Sequence, residues 1–325
     1  MAKDGIQAQG AAGGRPAVPQ QNGILVLRKP RGPSSAWCLG RIRRELGQSK
    51  IGHAGTLDPM AEGVLVVLLG QATKLSAFLM DADSRKVYSG SILLGVTTDT
   101  WDAEGRVLSR SPAEHITRAE LDGAFASLRG VTEQDVPAFS AAKHEGRPLY
   151  ALARKGVPVP VKKKTVTVFS VEAELVGPAH IRFRVVCTSG TYIRSLAHSL
   201  GNRLGCGAVL TELVREYSHP YPLSAAHSLE EVLREPEGFA LKVTGMAGAL
   251  PHWPRVPLGP EEAGLARQGR PLAHDPARLA EEYSAPGNRL LLLAPAGDPL
   301  ALARIVHKDG ALWWTVTRGL WNQEP

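Results

Sequence analysis

Residues 50–75 read KIGHAGTLDPMAEGVLVVLLGQATKL and join a glycine-punctuated loop to an apolar run. The run from Val64 to Leu69 lies between glycines, and an apolar run of this length usually forms a buried strand. Asp58-Pro59 marks a turn ahead of it. Because loops held by a rigid scaffold often carry function, the stretch predicts a buried strand with a candidate site beside its start.

The chain before this stretch predicts a tail, one strand and one helix. Residues 1–22 consist mainly of Gly, Ala, Gln and Pro, which indicates a disordered tail. Gly23 is followed by ILVL, which is typical of a strand, so the ordered chain should begin there. Ser34 or Ser35 can cap a helix that extends to about Leu46.

Strands and helices alternate after the apolar run. The pattern predicts a strand over 86–96, a helix from Ser111 to Leu128, two strands over 166–187, a helix from Ile193 to Leu204 and then a further strand. Residues 131–165 have little periodicity and many basic side chains, so they form a long loop that is either functional or mobile. Residues 251–325 contain three short apolar runs between glycines and predict a small, mainly β domain.

The net charge of +7 is informative through its position. Residues 1–50 contain nine basic and two acidic residues, so the whole excess lies there. Arg41, Arg43 and Arg44 fall on the first predicted helix, where they form either a solvated face or a contact to a polyanion. The charge permits a nucleic-acid partner without requiring one.

Cysteine content and hydropathy exclude several protein classes. The three cysteines include no CxxC pair, so they favour neither a disulfide framework nor a zinc ribbon and should be reduced and buried. No stretch approaches the ~20 uninterrupted apolar residues of a membrane span, and the N-terminus lacks the apolar run of a secretory signal. With 325 residues, 43 % of them hydrophobic, we expect a cytoplasmic protein of two domains.

Asp58 is the candidate for chemistry in the opening stretch. Its backbone is constrained by Pro59, and an acid in such a loop is either a covalent nucleophile or an ordinary turn cap. His53 can be a base, a stacking surface or a loop residue. Glu62 follows Asp58 by four positions, but Pro59 and Gly63 oppose a shared helical face, which disfavours a paired-carboxylate site. The chain has neither metal-ligand spacing nor a GxxxxGK[ST] phosphate loop.

The motif GTYIR at residues 190–194 supplies a second candidate pair. In strand geometry Tyr192 and Arg194 share a face, so a ring and a guanidinium can enter one cavity. Arg194 can then bind a buried carboxylate through two hydrogen bonds. The alternative is an ordinary core tyrosine beside a surface arginine.

Six blocks of the chain together resemble one family. They occur in the order NGILVLRKPRGPSS, GHAGTLDPMAEGVLVVLLGQATKL, a strand that begins at Tyr88 and ends in LLG, TTDTWDAEGRV, AFSAAKHEGRPLYALARKG and CTSGTYIRSLAHSLGNRLGCGAVLTELVR. Over roughly residues 23–250 this resembles the bacterial TruB-type tRNA pseudouridine synthases, which modify uridine 55 in the T-loop of tRNA. The last section is similar to a PUA domain through blocks such as ARQGRPL and ALARI.

The resemblance implies a fold and a domain plan. The expected class is α+β, with a mixed, largely antiparallel central sheet flanked by helices, followed by a small β-barrel-like PUA domain. After the tail at 1–22 that composition predicts, the implied plan is a catalytic domain at 23–250 with an RNA-binding insertion at 131–165, and an RNA-binding PUA-like domain at 251–325.

The resemblance also implies three catalytic residues. Asp58 matches the catalytic aspartate, and Tyr88 matches the tyrosine that stacks on the target base and takes part in moving the C5 proton. Arg194 is expected to form a salt bridge with Asp58. No metal and no organic cofactor is implied.

Substrate-binding roles follow from the same resemblance. His53 is expected near the flipped nucleotide, Tyr192 in the GTYIR pair, Leu213 in the pocket lining, and Lys29 beneath the active-site loop. The expected contacts to RNA are basic residues of the first helix and of the insertion, namely Arg41, Arg44, Lys143, Arg147 and Arg154. The implied partner is the T-stem-loop of tRNA, bound by a monomer without an obligate protein partner.

The reaction leaves several alternatives open. Isomerising uridine breaks the N1–C1′ bond and forms a C5–C1′ bond, and Asp58 can add to C1′, add to the base, or remove the C2′ proton to give a glycal. Two positions depart from the family: Arg28 replaces an aspartate, and AFSAAK replaces a proline-tyrosine version of that block. A non-enzymatic tRNA-binding or folding protein and a guide-RNA-dependent synthase remain the competing hypotheses.

Overall fold

A computed structural model describes residues 18–81, 84–160 and 162–321, so most of the predicted disordered tail lies outside the described residues. Residues 18–22, which the sequence assigns to that tail, pack against the buried side chain of Gln48. Its Oε1 accepts a 2.8 Å hydrogen bond from the backbone N–H of Gln21, and its Nε2 donates to the carbonyl of Pro19 over 3.1 Å. The ordered chain therefore starts before the predicted Gly23, because a buried amide takes its partners from this segment.

The described chain alternates short helices with strands. The helices are α1 (Ser35–Leu46), α2 (Ser76–Leu79), α3 (Arg118–Ala126), α4 (Leu149–Ala153), α5 (Ile193–Arg203), α6 (Leu229–Arg234) and α7 (Pro260–Arg267). The strands are β1 (Gly23–Lys29), β2 (Ile51–Ala54), β3 (Ala61–Leu69), β4 (Arg85–Leu94), β5 (Val96–Thr98), β6 (Val107–Arg110), β7 (Gly130–Asp135), β8 (Lys143–His144), β9 (Arg147–Pro148), β10 (Lys163–Gly177), β11 (His180–Thr188), β12 (Ala208–Ser218), β13 (Tyr221–Pro222), β14 (His227–Ser228), β15 (Val243–Gly245), β16 (Arg255–Pro257), β17 (Leu272–Ala273), β18 (Arg289–Leu293), β19 (Pro299–Lys308) and β20 (Ala311–Gly319).

A mixed sheet forms the centre of the molecule, in the order β14-β1-β3-β12-β4-β11-β10-β7. Most neighbours are antiparallel, while β1–β14 and β3–β12 are parallel. Strand β3 alternates between two cores: Leu65, Val67 and Leu69 face the helices α1, α3 and α5, whereas Val66 and its alternate neighbours face the other side. Burial on both faces explains why this stretch is continuously apolar. The expected α+β fold with a largely antiparallel sheet is confirmed.

The sequence located two helices well and misplaced the start of a third. Helix α1 is capped by Ser34, whose side chain accepts from the backbone N–H of Trp37, and α5 begins at Ile193 as predicted. Helix α3 begins at Arg118 and not near Ser111. Thr117 forms a capping box there with Glu120, which is the stronger start signal.

The prediction of a continuous loop over 131–165 is wrong at both ends. Strand β7 pairs antiparallel with β10, from Gly130 opposite Val168 to Asp135 opposite Lys163. Its polar residues concealed it, because an edge strand needs to bury only part of its surface. Residues 136–162 remain outside the central sheet, and their described part contains the β8–β9 hairpin and α4.

A second sheet of five curled strands, in the order β16-β18-β19-β20-β17, forms a half-barrel after residue 250. Trp314 and Ile305 are fully buried in its own core. Leu291 and Leu302 extend the core beneath the central sheet, where they join Trp253. Within the described residues, no helix combines the length and the hydropathy that crossing a lipid bilayer requires.

Candidate active site

The loop that carries Asp58 is held by buried polar groups of β1 and α1. The Lys29 ammonium, with no exposed surface, donates hydrogen bonds to the carbonyls of Ala61 (2.7 Å), Pro30 (2.9 Å) and Pro59 (3.2 Å). Ser35 fixes the other flank of the loop, since its hydroxyl donates to the carbonyl of Leu57 and accepts from its N–H, both over 2.9 Å. Lys29 thus lies beneath the loop, and burial lowers its pKa.

Replacing Lys29 by methionine tests this support. Three carbonyls would lose a donor, and the hydrogen bond to that of Ala61 is fully buried, so we expect the free energy of unfolding to fall by about 1–3 kcal/mol. The measurement is a urea melt of the two proteins, with Arg28→Met, an exposed neighbour on the same strand, as the matched control. A Lys29→Met melt that matches wild type would show that the loop is held by other contacts.

Asp58 and Arg194 form a bidentate ion pair across the pocket. Arg194 Nε lies 2.9 Å from Asp58 Oδ2, and Nη2 lies 3.1 Å from Oδ1. The guanidinium is 4 % exposed and also donates to the carbonyls of Thr100 and Phe139, each over 2.9 Å. The arginine is therefore fixed in place, and it orients both oxygens of the carboxylate. Phe139 contributes only its backbone carbonyl to this contact. The hydrogen bond from Arg194 therefore does not depend on the side chains of AFSAAK, the block that departs from the family pattern.

Asp102 lies behind this pair and was missed in the sequence. Its Oδ2 is 3.6 Å from Arg194 Nη1, and its Oδ1 accepts from the Thr100 hydroxyl (2.6 Å) and the Glu104 N–H (3.1 Å). The block TTDTWDAEGRV predicted only a polar turn. Which of its carboxylates faces Arg194 depends on long-range packing, which spacing does not show.

Tyr192 and Arg194 both line the pocket, although the strand geometry assumed for them is wrong. Tyr192 is the extended residue before α5, and its N–H donates to the Gln134 side chain over 2.6 Å. Arg194 lies in the first turn of that helix. The start of α5 therefore positions both side chains at the pocket. Burial raises the pKa of Tyr192.

The cavity has a volume of about 560 Å³. It brings together six of the expected residues from four distant parts of the chain: His53, Asp58, Tyr88, Tyr192, Arg194 and Leu213. Tyr88 is 6 % exposed, and burial raises the pKa of its phenol, which keeps it neutral at pH 7. Burial, followed by the charges of Arg215 and Lys86, lowers the pKa of His53 and favours a neutral ring.

Arg215 is a further pocket residue that the sequence did not indicate. It has no exposed surface and donates to the carbonyls of Val64 (2.6 Å), Gly55 (2.9 Å) and Thr56 (3.3 Å). It therefore fastens the loop before Asp58 to β12. No local pattern distinguishes it from a surface arginine on an alternating strand.

The outer basic residues lie away from the cavity. Arg41 forms an ion pair with Glu45 and lies 5.2 Å from the centre of the Trp37 ring, and Arg44 is largely exposed. Three further basic residues are exposed: Lys143 on β8, Arg147 on β9 and Arg154 at the end of α4.

The cavity's described surroundings contain no metal site. Across residues 18–81, 84–160 and 162–321, no group of three or more His, Cys, Asp and Glu side chains is arranged to hold a metal ion. The three cysteines, Cys38, Cys187 and Cys206, are free and buried, as predicted.

Comparison with known proteins identifies the family. A profile of the TruB family pseudouridylate synthases (N-terminal domain) matches residues 43–193. A tRNA pseudouridine synthase B from Oleidesulfovibrio alaskensis is 55 % identical over 303 residues, which is 93 % of this chain and 97 % of the relative. Another from Syntrophotalea carbinolica is 42 % identical over 287 residues, 88 % of this chain and 92 % of the relative.

A solved structure supports the fold independently. A chain in the crystal structure of a Cbf5-Nop10-Gar1 complex superposes with a TM-score of 0.68 at 24 % identity, covering 93 % of this chain and 86 % of that chain. The expected fold and the expected enzyme class, an isomerase that forms pseudouridine, are thereby confirmed. The chain belongs to the tRNA pseudouridine synthase B family, the TruB-type pseudouridine synthases.

Proposed function

We propose that the chain isomerises uridine 55 in the T-loop of tRNA to pseudouridine, and that it flips the base into the cavity around Asp58. The observation that carries this proposal is the bidentate Asp58–Arg194 pair on the wall of a cavity that Tyr88 also lines. One carboxylate in a fixed orientation is sufficient to start the reaction. Extruding a base costs a few kcal/mol, and stacking on an aromatic ring returns ~1–3 kcal/mol.

Asp58 is the proposed nucleophile at C1′. The N1–C1′ bond breaks and its electron pair stays on the uracil, while an Asp58 oxygen bonds to C1′. After the uracil turns, C5 displaces Asp58 from C1′, the C5 proton leaves, and N1 gains a proton. The atoms balance without a co-reactant, so the step requires only an enclosed pocket that retains the free uracil.

The remaining pocket residues position the base. Tyr88, a neutral phenol, stacks on the uracil and takes part in moving the C5 proton. Neutral His53 contacts the flipped nucleotide, Tyr192 closes the opposite wall, and Leu213 supplies an apolar surface. Lys29 acts only through the loop that it supports.

Contacts to the RNA backbone are proposed outside the pocket. Arg41 and Arg44 on α1, together with Lys143, Arg147 and Arg154 in the insertion, contact phosphates of the T-arm, and the insertion closes over the stem-loop. We propose residues 251–325 as a second, PUA-like RNA-binding domain and the whole chain as a cytoplasmic monomer that needs no protein partner.

The direct test uses a T-arm stem-loop transcript tritiated at uridine C5. The purified chain alone should release one tritium per target uridine, because C5 exchanges its proton for C1′. A chain that binds the transcript without release is a tRNA-binding protein and not an enzyme. Activity that appears only after a guide RNA and further proteins are added identifies a guide-dependent synthase.

Charge reversal on α1 tests the RNA contacts. We expect the double variant Arg41→Glu/Arg44→Glu to weaken tRNA binding by about tenfold or more at low salt and to reduce the salt dependence by roughly two charges, because each phosphate contact releases about one counterion. The measurement is a binding titration at several salt concentrations. Arg118→Glu on α3 is the control, and equal affinity of the double variant and wild type would refute the contact.

A further inference from the structure

Lys86 is a buried cation that faces the active-site cavity and has no partner. It lies on β4 two residues before Tyr88, so the two side chains project from the same face of the sheet. Its side chain lines the cavity and is 4 % exposed. Among the residues that the structure describes, none forms a hydrogen bond or an ion pair with its ammonium.

The groups around Lys86 offer no compensating charge. A Cβ placed on Gly55 would lie 2.5 Å from Lys86 Nζ and 3.6 Å from Arg215 Nη1, so two cations converge on this glycine. Lys164 faces it from β10 and His53 from β2, while Cys187 on β11 is a neutral thiol whose pKa is raised to about 11. Burial, followed by the charge of Arg215, lowers the pKa of Lys86 to about 7.

The two other buried cations of the pocket are already bound to protein groups. Arg194 donates hydrogen bonds to both oxygens of Asp58 and to two carbonyls, and Arg215 donates to three carbonyls. Lys86 alone among these three keeps its donors free. An unpaired buried charge is costly, which indicates that its partner arrives with the substrate.

We propose that Lys86 is a further catalytic residue. Its ammonium donates a hydrogen bond to a carbonyl oxygen of the target uracil. It thereby stabilises the negative charge that this ring carries once its bond to C1′ has broken. The inference rests on the proposed function. Whether Asp58 bonds to C1′ or removes the C2′ proton, the electron pair of the N1–C1′ bond moves onto the uracil and spreads to O2 and O4. A fixed ammonium in a dry pocket stabilises such an anion more strongly than water does.

The depth of Lys86 favours the base over the RNA backbone as its ligand. Its neighbour Tyr88 is equally buried, and a flipped base that stacks there brings its carbonyl oxygens to the same wall. Phosphates remain hydrated at the rim, where the exposed Lys164 lies. When the product forms, N1 regains a proton and the ring loses its negative charge. The Lys86 ammonium is therefore in the same state after the reaction as before it.

The test compares Lys86→Met with Lys164→Met, which also removes a lysine from the pocket lining. Single-turnover tritium release should fall by about 100-fold or more in Lys86→Met. Its tRNA affinity should stay within about threefold of wild type, and its melting temperature should not decrease, because an unpaired buried charge has been removed. Lys164→Met should mainly weaken binding. A Lys86→Met rate close to wild type, or a loss confined to tRNA affinity, overturns the proposal.

The pH profile gives a second readout that a purely structural role would not produce. Lys86 acts as a cation, so kcat/KM should fall above the pKa of about 7 that it has in the free enzyme. Lys86→Arg keeps its charge at every accessible pH and should extend activity to higher pH. An alkaline limb that is identical in both proteins overturns the proposal. Wild-type chain that releases no tritium at all refutes the proposed function instead, so the two failures are distinguishable.

Discussion

Asp58→Asn is expected to lower the single-turnover rate of tritium release by about 10⁴-fold or more, the size of loss seen when a nucleophile is removed. The amide has nearly the same volume and can still accept a hydrogen bond from Arg194, but it can neither attack C1′ nor take a proton. The affinity for tRNA should change little, because the outer basic residues are untouched. The rate is measured with enzyme in excess over the tritiated T-arm transcript.

Glu62→Gln is the matched control for this variant. Glu62 lies four residues after Asp58, on β3, and faces a groove beside α1 and α6 rather than the catalytic cavity. Its loss should leave the rate within about threefold of wild type. An Asp58→Asn rate that is undiminished, or a Glu62→Gln rate that falls as far, contradicts the assignment of Asp58 as the single reacting carboxylate.

Arg194→Lys is expected to reduce the rate by about 100-fold although it preserves the charge. The guanidinium donates hydrogen bonds to both oxygens of Asp58 and to two backbone carbonyls at once. The ammonium of a flexible lysine side chain cannot form the same planar, bidentate arrangement. Asp58 would keep its charge and lose its fixed orientation. Rapid-quench tritium release measures the chemical step, and a filter-binding titration shows whether tRNA affinity is kept.

Arg194→Met should in addition destabilise the fold. It leaves Asp58 and the buried Asp102 without their shared cation, and breaking such a buried pair costs about 3–5 kcal/mol. A urea melt measures this loss, with Arg203→Met, exposed on the same helix, as the control. If Arg194→Lys keeps the wild-type rate, the precise orientation of Asp58 is not required for the reaction.

Local sequence patterns identified the elements whose burial is uniform along their length. The apolar run of β3 is buried on both faces, and α1 and α5 carry one apolar stripe each, so their periodicity matches their packing. Strand β7 was missed because an edge strand with exposed residues has no such pattern. The start of α3 was misplaced because Ser111-Pro112 also resembles a helix start, although the capping box of Thr117 and Glu120 is the stronger signal.

The candidate site was predictable in parts. The motifs singled out Asp58, His53, Tyr192 and Arg194, and the family resemblance added Tyr88 and identified Asp58 as the expected partner of Arg194. The sequence did not indicate three residues near the site, Asp102, Arg215 and Lys86. They come close to the Asp58 loop only because the folded sheet places β4, β12 and the loop after β5 beside it. Register in a sheet is a long-range property, and a local pattern of charges does not contain it.

The basic residues of the chain form two groups, those of residues 1–50 and those that line the cavity. The excess at residues 1–50 includes Lys29, which is buried and bound to carbonyls, together with Arg41 and Arg44 of α1, which lie beside Glu45 and are proposed to contact phosphates. Arg194, Arg215 and Lys86 lie in the region whose formal charges balance, yet they dominate the cavity. The net charge therefore permitted a polyanionic partner, and the buried cations mark the cavity in which we propose that the target base binds.

The central claim is that this chain, through Asp58, converts one uridine of the T-loop. The most direct measurement is to incubate a full-length, unmodified tRNA transcript with the purified chain alone and to map pseudouridine along the RNA by carbodiimide labelling and primer extension. We predict a single stop, at position 55, that is absent when Asp58→Asn replaces wild type. No stop, a stop at another uridine, or the same stop with the Asp58→Asn variant would contradict the account.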